Sequence, residues 1–440
     1  MDILIKIAQL FLCFTILVGI HELGHFLMAR AFKIRVEKFY IFFDPGFSLF
    51  KFKRGDTEYG LGWLPLGGYV KIAGMIDESM DKEQMKQSVK PDEFRAKPAW
   101  QRLLVMVAGV MMNVLLAIVI YCAVCYTWGD SYFSNQDAKW GYNFNPTAHE
   151  MGFRDGDRFV SIDGEEIDNV MRVQNDLLIT DGGRRVVVER DGEPVTLDIP
   201  FESLLRMRQE KAYEDLFTLR LPFIVDSVSY TSAVEAGLES GDEVVAIDDL
   251  RDADYPRYRD YLQKHKNDKV LLTVRRDGAL IDSLALPVDA EGRIGVTVTN
   301  PYSLRTQYYT FWESIPAGIH KAGKTISSYW DQLKLIVQPK TKMYEELGGF
   351  VAIGSIFPSS WDWHDFWLKT AFLSIILAVM NLLPIPGLDG GHALFTLWEI
   401  ITRRKPSEKF LEVAQYVGLM IILALLVYAN GNDIYRFFIK

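Results

Sequence analysis

The sequence predicts a multi-span α-helical membrane protein that carries a mostly β portion outside the membrane. Two observations predict this fold class. Four stretches each hold about the 20 apolar residues that a helix needs to cross a bilayer. A more polar segment between the second and third stretches repeats one pattern twice. The net charge of -9 and the lack of a basic stripe argue against nucleic acid as a partner.

The four predicted spans follow one another along the chain as residues 1–33, 101–128, 365–402 and 410–430. We expect the third helix to be broken, because Pro384, Pro386 and glycines interrupt it. Lys and Arg cluster between spans one and two, in the loop 34–100, and between spans three and four. By the positive-inside rule both connections are cytoplasmic, and the long segment between spans two and three is exterior.

This exterior segment contains two copies of one module, predicted over 129–203 and 204–300. AHEMGFRDGDRFVSIDGEEI, from Ala148, aligns without gaps with AVEAGLESGDEVVAIDDLRD, from Ala233. Each copy is expected to form a short helix, a glycine turn, a strand and a later hairpin with Asp-Gly at its turn. The modules resemble PDZ domains, which capture extended peptides at a sheet edge. The alternative is a pair of spacers or size filters that bind no peptide tightly.

Residues 301–364 mix aromatic and polar side chains at roughly helical spacing. This pattern predicts an amphipathic helix that lies at the exterior surface of the membrane, followed by a linker. A plain linker over the whole segment is the alternative.

The first span holds HELGH at residues 21–25. On a helix, His21 and His25 are one turn apart and can meet one metal ion, with Glu22 beside the open position of that ion. A carboxylate next to a zinc-bound water can move the proton that peptide hydrolysis requires. HExxH also arises by chance in soluble helices. Ionisable residues within a span cost about 2.5 to 3.5 kcal/mol each, however, which favours a functional reason for them.

A catalytic zinc site takes a third protein ligand. Asp389 and His392, in NLLPIPGLDGGH of span three, are both candidates. They lie late in a span that runs in the same direction as span one, where HELGH is also late. Asp389 and His392 are therefore both expected at the membrane depth of HELGH, and depth alone does not show which of the two is the ligand. The prolines and glycines around them indicate irregular backbone beside protein or a water-filled cavity.

HELGH, NLLPIPGLDGG and the tandem modules together resemble the site-2 protease family of intramembrane zinc metalloproteases, of the bacterial regulator-of-sigma-E type. The resemblance covers nearly the whole chain. It implies a Zn²⁺ cofactor with His21, His25 and Asp389 as ligands. It also implies Glu22 as the general base.

The resemblance extends to substrate-binding residues. Asn381 matches a family asparagine that holds the substrate backbone, with an interhelical hydrogen bond as the alternative role. EYGLGWLPLGGYVKIAGM, around residues 60–75, resembles a re-entrant β-hairpin in which Gly68, Tyr69 and Val70 would contact an unwound substrate strand.

The function implied by the resemblance is regulated proteolysis within the bacterial inner membrane, with the PDZ modules in the periplasm. The implied partners are membrane lipid and single-span membrane proteins, such as anti-sigma factors that have already received a first exterior cut. Remnant signal peptides are a second implied substrate class. The alternative is a PDZ-bearing membrane scaffold with a structural or defunct metal site. The intact Glu22 favours the enzyme, because a structural site has no need of that carboxylate.

Overall fold

The computed structural model describes residues 2–64, 67–75, 88–213 and 215–439. Its α-helices are α1 (Asp2–Ala31), α2 (Ala99–Trp128), α3 (Pro146–Glu150), α4 (Val173–Leu178), α5 (Phe201–Gln209), α6 (Thr231–Glu235), α7 (Tyr255–Lys264), α8 (Phe311–Val337), α9 (Phe350–Ser355), α10 (Trp363–Leu382), α11 (Asp389–Thr402) and α12 (Glu408–Ile434). Its strands are β1 (Val36–Ile41), β2 (Phe50–Arg54), β3 (Thr57–Leu61), β4 (Tyr69–Ile72), β5 (Asp130–Tyr132), β6 (Tyr142–Phe144), β7 (Arg158–Ile162), β8 (Glu165–Glu166), β9 (Arg184–Arg190), β10 (Glu193–Ile199), β11 (Phe217–Leu219), β12 (Val225–Val228), β13 (Glu243–Ile247), β14 (Lys269–Arg276), β15 (Ala279–Pro287), β16 (Val296–Val298) and β17 (Arg305–Gln307).

The chain divides into two compact units. One unit consists of Met1–Asp130 and Tyr308–Lys440, and the other consists of Ser131–Gln307. Among the described residues of the first unit, four helices are long and apolar enough to cross a membrane: α1, α2, α10 and α12. They fall on the four spans predicted from the sequence, and they indicate a multi-pass membrane protein.

The break predicted in the third span is present. Helix α10 ends at Leu382 and α11 begins at Asp389. Pro384 and Pro386 have no backbone N–H to continue the helix ladder. Gly387 has a φ of +96°, a left-handed conformation that favours glycine. The six residues between the helices therefore turn the chain and place Asp389 in the first turn of a new helix.

The loop between α1 and α2 contains a four-stranded sheet in the order β2-β3-β1-β4. The predicted hairpin over 60–75 is wrong in its pairing, because β3 and β4 do not pair with each other. Strand β3 lies parallel to β1, and β4 lies antiparallel to the other edge of β1. Strand β1, which precedes β3 and β4 in the chain, therefore lies between them in the sheet. The sequence pattern did not reveal this. Pro65 and Leu66 of the predicted hairpin, and residues 76–87 of the predicted cytoplasmic loop, lie outside the described residues.

The second unit has the internal repeat predicted from its sequence. In the first copy, the Arg190 guanidinium binds both oxygens of Asp157 and the Gly152 carbonyl oxygen. In the second copy, Arg276 makes the same contacts with Asp242 and Gly237. A buried carboxylate needs such a bidentate cation to offset its lost hydration. The aligned positions therefore correspond in structure as well as in sequence.

The boundary between the two copies lies later than the predicted 203/204. Leu204, Met207 and Leu216 are buried in the core of the first copy. Strand β11 pairs with β6, which is also part of the first copy. The core of the second copy begins at Phe223. The sequence repeat did not reveal this, because the closing strand of the first copy lies far along the chain from its partner.

Helix α8 occupies the segment predicted to contain an amphipathic helix. It begins with a capping box, in which the Thr310 hydroxyl and the Glu313 carboxylate satisfy each other's backbone N–H groups. Ser314, Gly318 and Ala322 are buried at intervals of four residues. A Cβ atom on Gly318 would lie 2.6 Å from the Cys122 nitrogen, so this small face packs directly on the backbone of α2. Helix α8 is thereby fixed to the second span.

Candidate metal centre

The histidines of HELGH lie on the face of α1 that contacts α2. Both are buried, with 8% of His21 and 7% of His25 exposed. His25 Nδ1 is 2.9 Å from the Val105 carbonyl oxygen of α2. Since a carbonyl only accepts, His25 Nδ1 carries a proton. The lone pair of a neutral His25 therefore lies on Nε2, which faces His21 Nε2 at 3.3 Å.

Asp389 reaches the same point from α11. Its Oδ2 atom lies 3.1 Å from His21 Nε2 and 3.2 Å from His25 Nε2. Two glycines permit this approach. A Cβ on Gly390 would lie 2.2 Å from the Leu383 carbonyl oxygen, and one on Gly391 would lie 2.5 Å from that of Ile385. The turn between α10 and α11 thus folds tightly against the start of α11.

The three donor atoms have the spacing of a tetrahedral zinc site. Zinc binds histidine nitrogen and carboxylate oxygen at about 2.0 to 2.1 Å, so two ligands of a tetrahedron are about 3.3 to 3.4 Å apart. The three separations here are 3.1, 3.2 and 3.3 Å. In the described part of the chain, these residues form the one group of three His, Cys, Asp or Glu donors within 4.8 Å.

The charge distribution also fits a cation. Asp389 Oδ2 is buried and lies against the Nε2 atoms of both histidines. It faces the lone-pair nitrogen of a neutral His25, which has no proton to donate in that direction. A lone pair and a carboxylate oxygen this close repel each other unless a proton or a metal cation lies between them. The donor set therefore fits zinc, with two imidazoles and one carboxylate.

Glu22 lines a cavity of about 740 Å³ together with these three residues. It is partly buried, and its carboxylate lies against the backbone N–H of Val70 in β4. A Cβ on Gly68 would lie 3.3 Å from Glu22 Cγ, so glycine lets the chain pass close to this side chain. The arrangement places one carboxylate beside the donor group but outside it.

The other predicted site residues also line this cavity. Gly68, Tyr69 and Val70 form the wall at β4, and Asn381 Nδ2 lies 3.4 Å from His21 Nε2. His392, the rival third ligand, lines the same cavity but does not belong to the group of converging donors. The structure thus brings every predicted site residue to one cavity within the first unit.

Helix α2 makes a contribution to the site that the sequence analysis did not assign. A Cβ on Gly109 would lie 2.4 Å from His25 Nε2 and 2.7 Å from His21 Cε1. A Cβ on Gly24 of α1 would lie 2.5 Å from the Ala108 carbonyl oxygen. These two glycines let α1 and α2 approach closely at the depth of the histidines. Glycines in both spans were the available signal, but their register was not visible in the sequence.

Replacing Gly109 with alanine is expected to displace the imidazoles and lower the zinc affinity of the purified protein about 5- to 150-fold, since overpacking a tight contact costs about 1 to 3 kcal/mol. Zinc retention against a competing chelator measures this effect. Gly19→Ala in α1 is the control, because its new methyl group would lie 3.8 Å from its nearest neighbour outside the helix, Ile41 Cδ1. Equal zinc retention by both variants would contradict the role of Gly109.

Comparison with known proteins gives a consistent result. The chain matches peptidase family M50 over residues 9–425. It is 30% identical over 426 residues to a Clostridium perfringens protein named "Putative zinc metalloprotease", covering 96% of each chain. It is 27% identical over 461 residues to the "Regulator of sigma E protease" of Haemophilus influenzae, covering 99% of this chain and 100% of the relative. It is 29% identical over 462 residues to a Vibrio cholerae protein with the same name as the Clostridium relative, covering 99% of each.

The family match covers most of the chain, and these relatives are covered almost from end to end. The converging His21, His25 and Asp389 atoms supply a donor set that suits the zinc used by this family. The chain therefore belongs to peptidase family M50, the site-2 protease family, and is a zinc metalloprotease.

Proposed function

We propose that this protein hydrolyses peptide bonds of single-span membrane proteins within the bilayer. In this proposal His21, His25 and Asp389 hold the zinc ion, and Glu22 is the general base. The observation that carries the proposal is the convergence of three ligand atoms beside a further carboxylate. Two of these atoms come from α1, which is long and apolar enough to cross a membrane, and the third comes from the first turn of α11. Ionisable groups at such positions are costly, so they are present for function.

The chemistry follows from the residues that surround the donor group. His21, His25 and Asp389 would hold a zinc ion, which would lower the pKa of a bound water towards about 7 and polarise the scissile carbonyl. Glu22 accepts the proton of the attacking water and passes it to the leaving amine. The Val70 N–H beside the Glu22 carboxylate keeps this side chain pointed towards the reacting groups.

The substrate is proposed to add as a strand to the outer edge of β4. Strand β4 pairs with β1 on one side, and within the described residues no strand pairs with its other edge. The Ala73 N–H bonds to the Arg35 carbonyl, so it points to the β1 side of the strand. Successive N–H groups of a strand point to opposite sides, and Val70 is three residues from Ala73. The Val70 N–H therefore points to the outer edge of β4, towards Glu22. Gly68, Tyr69 and Val70 would align the substrate backbone, and Asn381 would hold it from the opposite wall.

A substrate bound in this way must leave its helical conformation first. Replacing two leucines near the cleaved bond of a single-span substrate with glycine is expected to raise kcat/KM about 10-fold, because the helix loses about 1.5 kcal/mol of propensity. Leu→Ala changes at the same positions are the control, since alanine keeps the helix. Equal rates for the glycine and alanine substrates would argue against strand addition.

The two exterior modules are proposed to be PDZ domains in the periplasm of a bacterium, with the spans in the inner membrane. In the described part of the chain, β11 pairs only with β6 and β16 pairs only with β12, so each module has an open sheet edge. Such an edge can receive a peptide terminus, or the modules can exclude bulky exterior domains by size. Either role would restrict cleavage to substrates whose exterior part has already been shortened.

Anti-sigma factors are the proposed substrates, with remnant signal peptides as a second class. Support comes from the Haemophilus influenzae relative, which is named for the regulation of sigma E. A membrane scaffold with a defunct metal site is the other candidate. The presence of Glu22 beside the donor group favours the protease.

The test compares two forms of one tagged single-span protein, with and without its exterior domain, in cells that produce this protein or its Glu22→Gln variant. The proposal predicts that wild type cleaves only the shortened form and that the variant cleaves neither. Cleavage of both forms by wild type would contradict the proposal that the modules restrict cleavage to substrates with a shortened exterior part. Equal cleavage by wild type and Glu22→Gln would overturn the protease assignment of this site.

A further inference from the structure

One face of α2 contacts both histidines through their Nδ1 atoms. Val105 and Asn113 are eight residues apart on α2, and Gly109 lies midway between them. The Val105 carbonyl oxygen lies 2.9 Å from His25 Nδ1, and the Asn113 side chain lies 3.2 Å from His21 Nδ1. The two helices run antiparallel, so each histidine meets one polar group on this face.

The nitrogen through which an imidazole binds a metal determines whether its other nitrogen carries a proton. The Nε2 atoms of His21 and His25 both lie within 3.2 Å of Asp389 Oδ2. An imidazole that binds a metal through Nε2 carries its proton on Nδ1. Each Nδ1 therefore requires a hydrogen-bond acceptor. For His25 this acceptor is the Val105 carbonyl, and for His21 the group within reach on α2 is Asn113.

The Asn113 carboxamide is completely buried, and its two ends are unequally satisfied. Its Nδ2 atom faces His21 Nδ1, whereas its Oδ1 atom is buried without a hydrogen-bond partner. With a metal on Nε2, this orientation would set two donors against each other. Rotating the carboxamide by about 180° exchanges two ends of nearly the same shape and turns the oxygen towards the Nδ1–H of His21.

We infer that Asn113 is a positioning residue for the zinc ligand His21. In the metal-loaded protein its Oδ1 accepts the hydrogen bond from His21 Nδ1–H, which fixes the tautomer and the orientation of the imidazole. Asn113 acts through His21 and does not bind the metal itself. The inference rests on the proposed assignment of His21 as a zinc ligand.

The test measures zinc dissociation constants of the purified full chain by competition with a chelator, with zinc alone as the ligand. Asn113→Leu keeps the branched shape and the number of heavy atoms but removes the acceptor, and it is expected to weaken zinc binding about 10- to 100-fold. Asn113→Asp keeps an acceptor of the same shape and is expected to bind zinc as tightly as wild type or more tightly. Absorption of the cobalt-loaded proteins shows whether the coordination geometry is kept.

Tyr121→Phe is the matched control, because Tyr121 lies two turns along α2 from Asn113 and its hydroxyl pairs with Thr325. Its zinc affinity should equal that of wild type. Wild-type affinity in Asn113→Leu would overturn the inference, and so would equally weak binding by Asn113→Asp and Asn113→Leu. If Asn113→Leu does not fold, Asn113→Asp alone tests the inference. Loss of zinc in Asn113→Asp would mean that Asn113 donates a hydrogen bond to His21 rather than accepting one. Failure of wild type to bind zinc would instead refute the proposed site.

Discussion

Replacing Asp389 with alanine is expected to lower the zinc affinity of the purified protein by about 10² to 10⁴. Apparent binding free energies for zinc in small protein sites are about 10 to 16 kcal/mol, so one of three protein ligands accounts for about 3 to 5 kcal/mol. Asp389 Oδ2 lies against both histidine Nε2 atoms, and no other described carboxylate belongs to this donor group. Metal content after dialysis against a chelator measures the loss.

His392→Ala is the control for this prediction. His392 is three residues from Asp389 in the same helix and lines the same cavity, so it shares the membrane depth and the surroundings of Asp389. We expect the His392 variant to retain zinc. If the His392 variant loses zinc and the Asp389 variant retains it, His392 and not Asp389 is the third zinc ligand.

Replacing Glu22 with glutamine is expected to reduce kcat about 10² to 10⁴-fold, the usual contribution of general acid–base catalysis, while zinc stays bound. Glutamine keeps the shape of the side chain but cannot accept the proton of the attacking water. The measurement combines cleavage rates in detergent or bicelles with metal analysis of the same sample.

Glu58→Gln is the matched control for Glu22→Gln. Glu58 lies in the same unit and accepts a hydrogen bond from Tyr40, but it is not part of the cavity wall. Its variant should keep its rate within about 2-fold, as is usual away from a reacting site. A Glu22→Gln protein that loses zinc would indicate a structural role for Glu22. One that keeps full activity would exclude it as the base.

The membrane part of the fold was largely predictable from the sequence, because apolar length is a local property. The four spans and the break after Leu382 followed from hydropathy and from Pro384 and Pro386. The strand pairing was not predictable in the same way. Strand β1 separates β3 from β4, and β11 closes the first copy of the repeat from a distant position. Such partners depend on the folding of the whole chain, and their local patterns resemble those of a simple hairpin or a linker.

In the candidate site, too, the local features were predictable from the sequence and the features that depend on tertiary packing were not. The spacing of His21 and His25 is helical and local, so the sequence was enough to place both on one face. The choice between Asp389 and His392 depended on the turn between α10 and α11, and the sequence separated them only through a resemblance. The contributions of Val105, Gly109 and Asn113 depended on the register of α2 against α1. That register comes from close packing at Gly24 and Gly109, which no periodicity encodes.

Identification of the cleaved bond shows whether this protein cuts its substrate inside an apolar segment. The purified protein is incubated in bicelles with a single-span peptide that has an apolar segment of about 20 residues, and the fragments are identified by mass spectrometry. We expect both new termini to lie inside the apolar segment, and we expect no fragments with Glu22→Gln or after zinc removal. Cleavage only in the flanking polar segments, or fragments that persist with Glu22→Gln, would contradict this expectation.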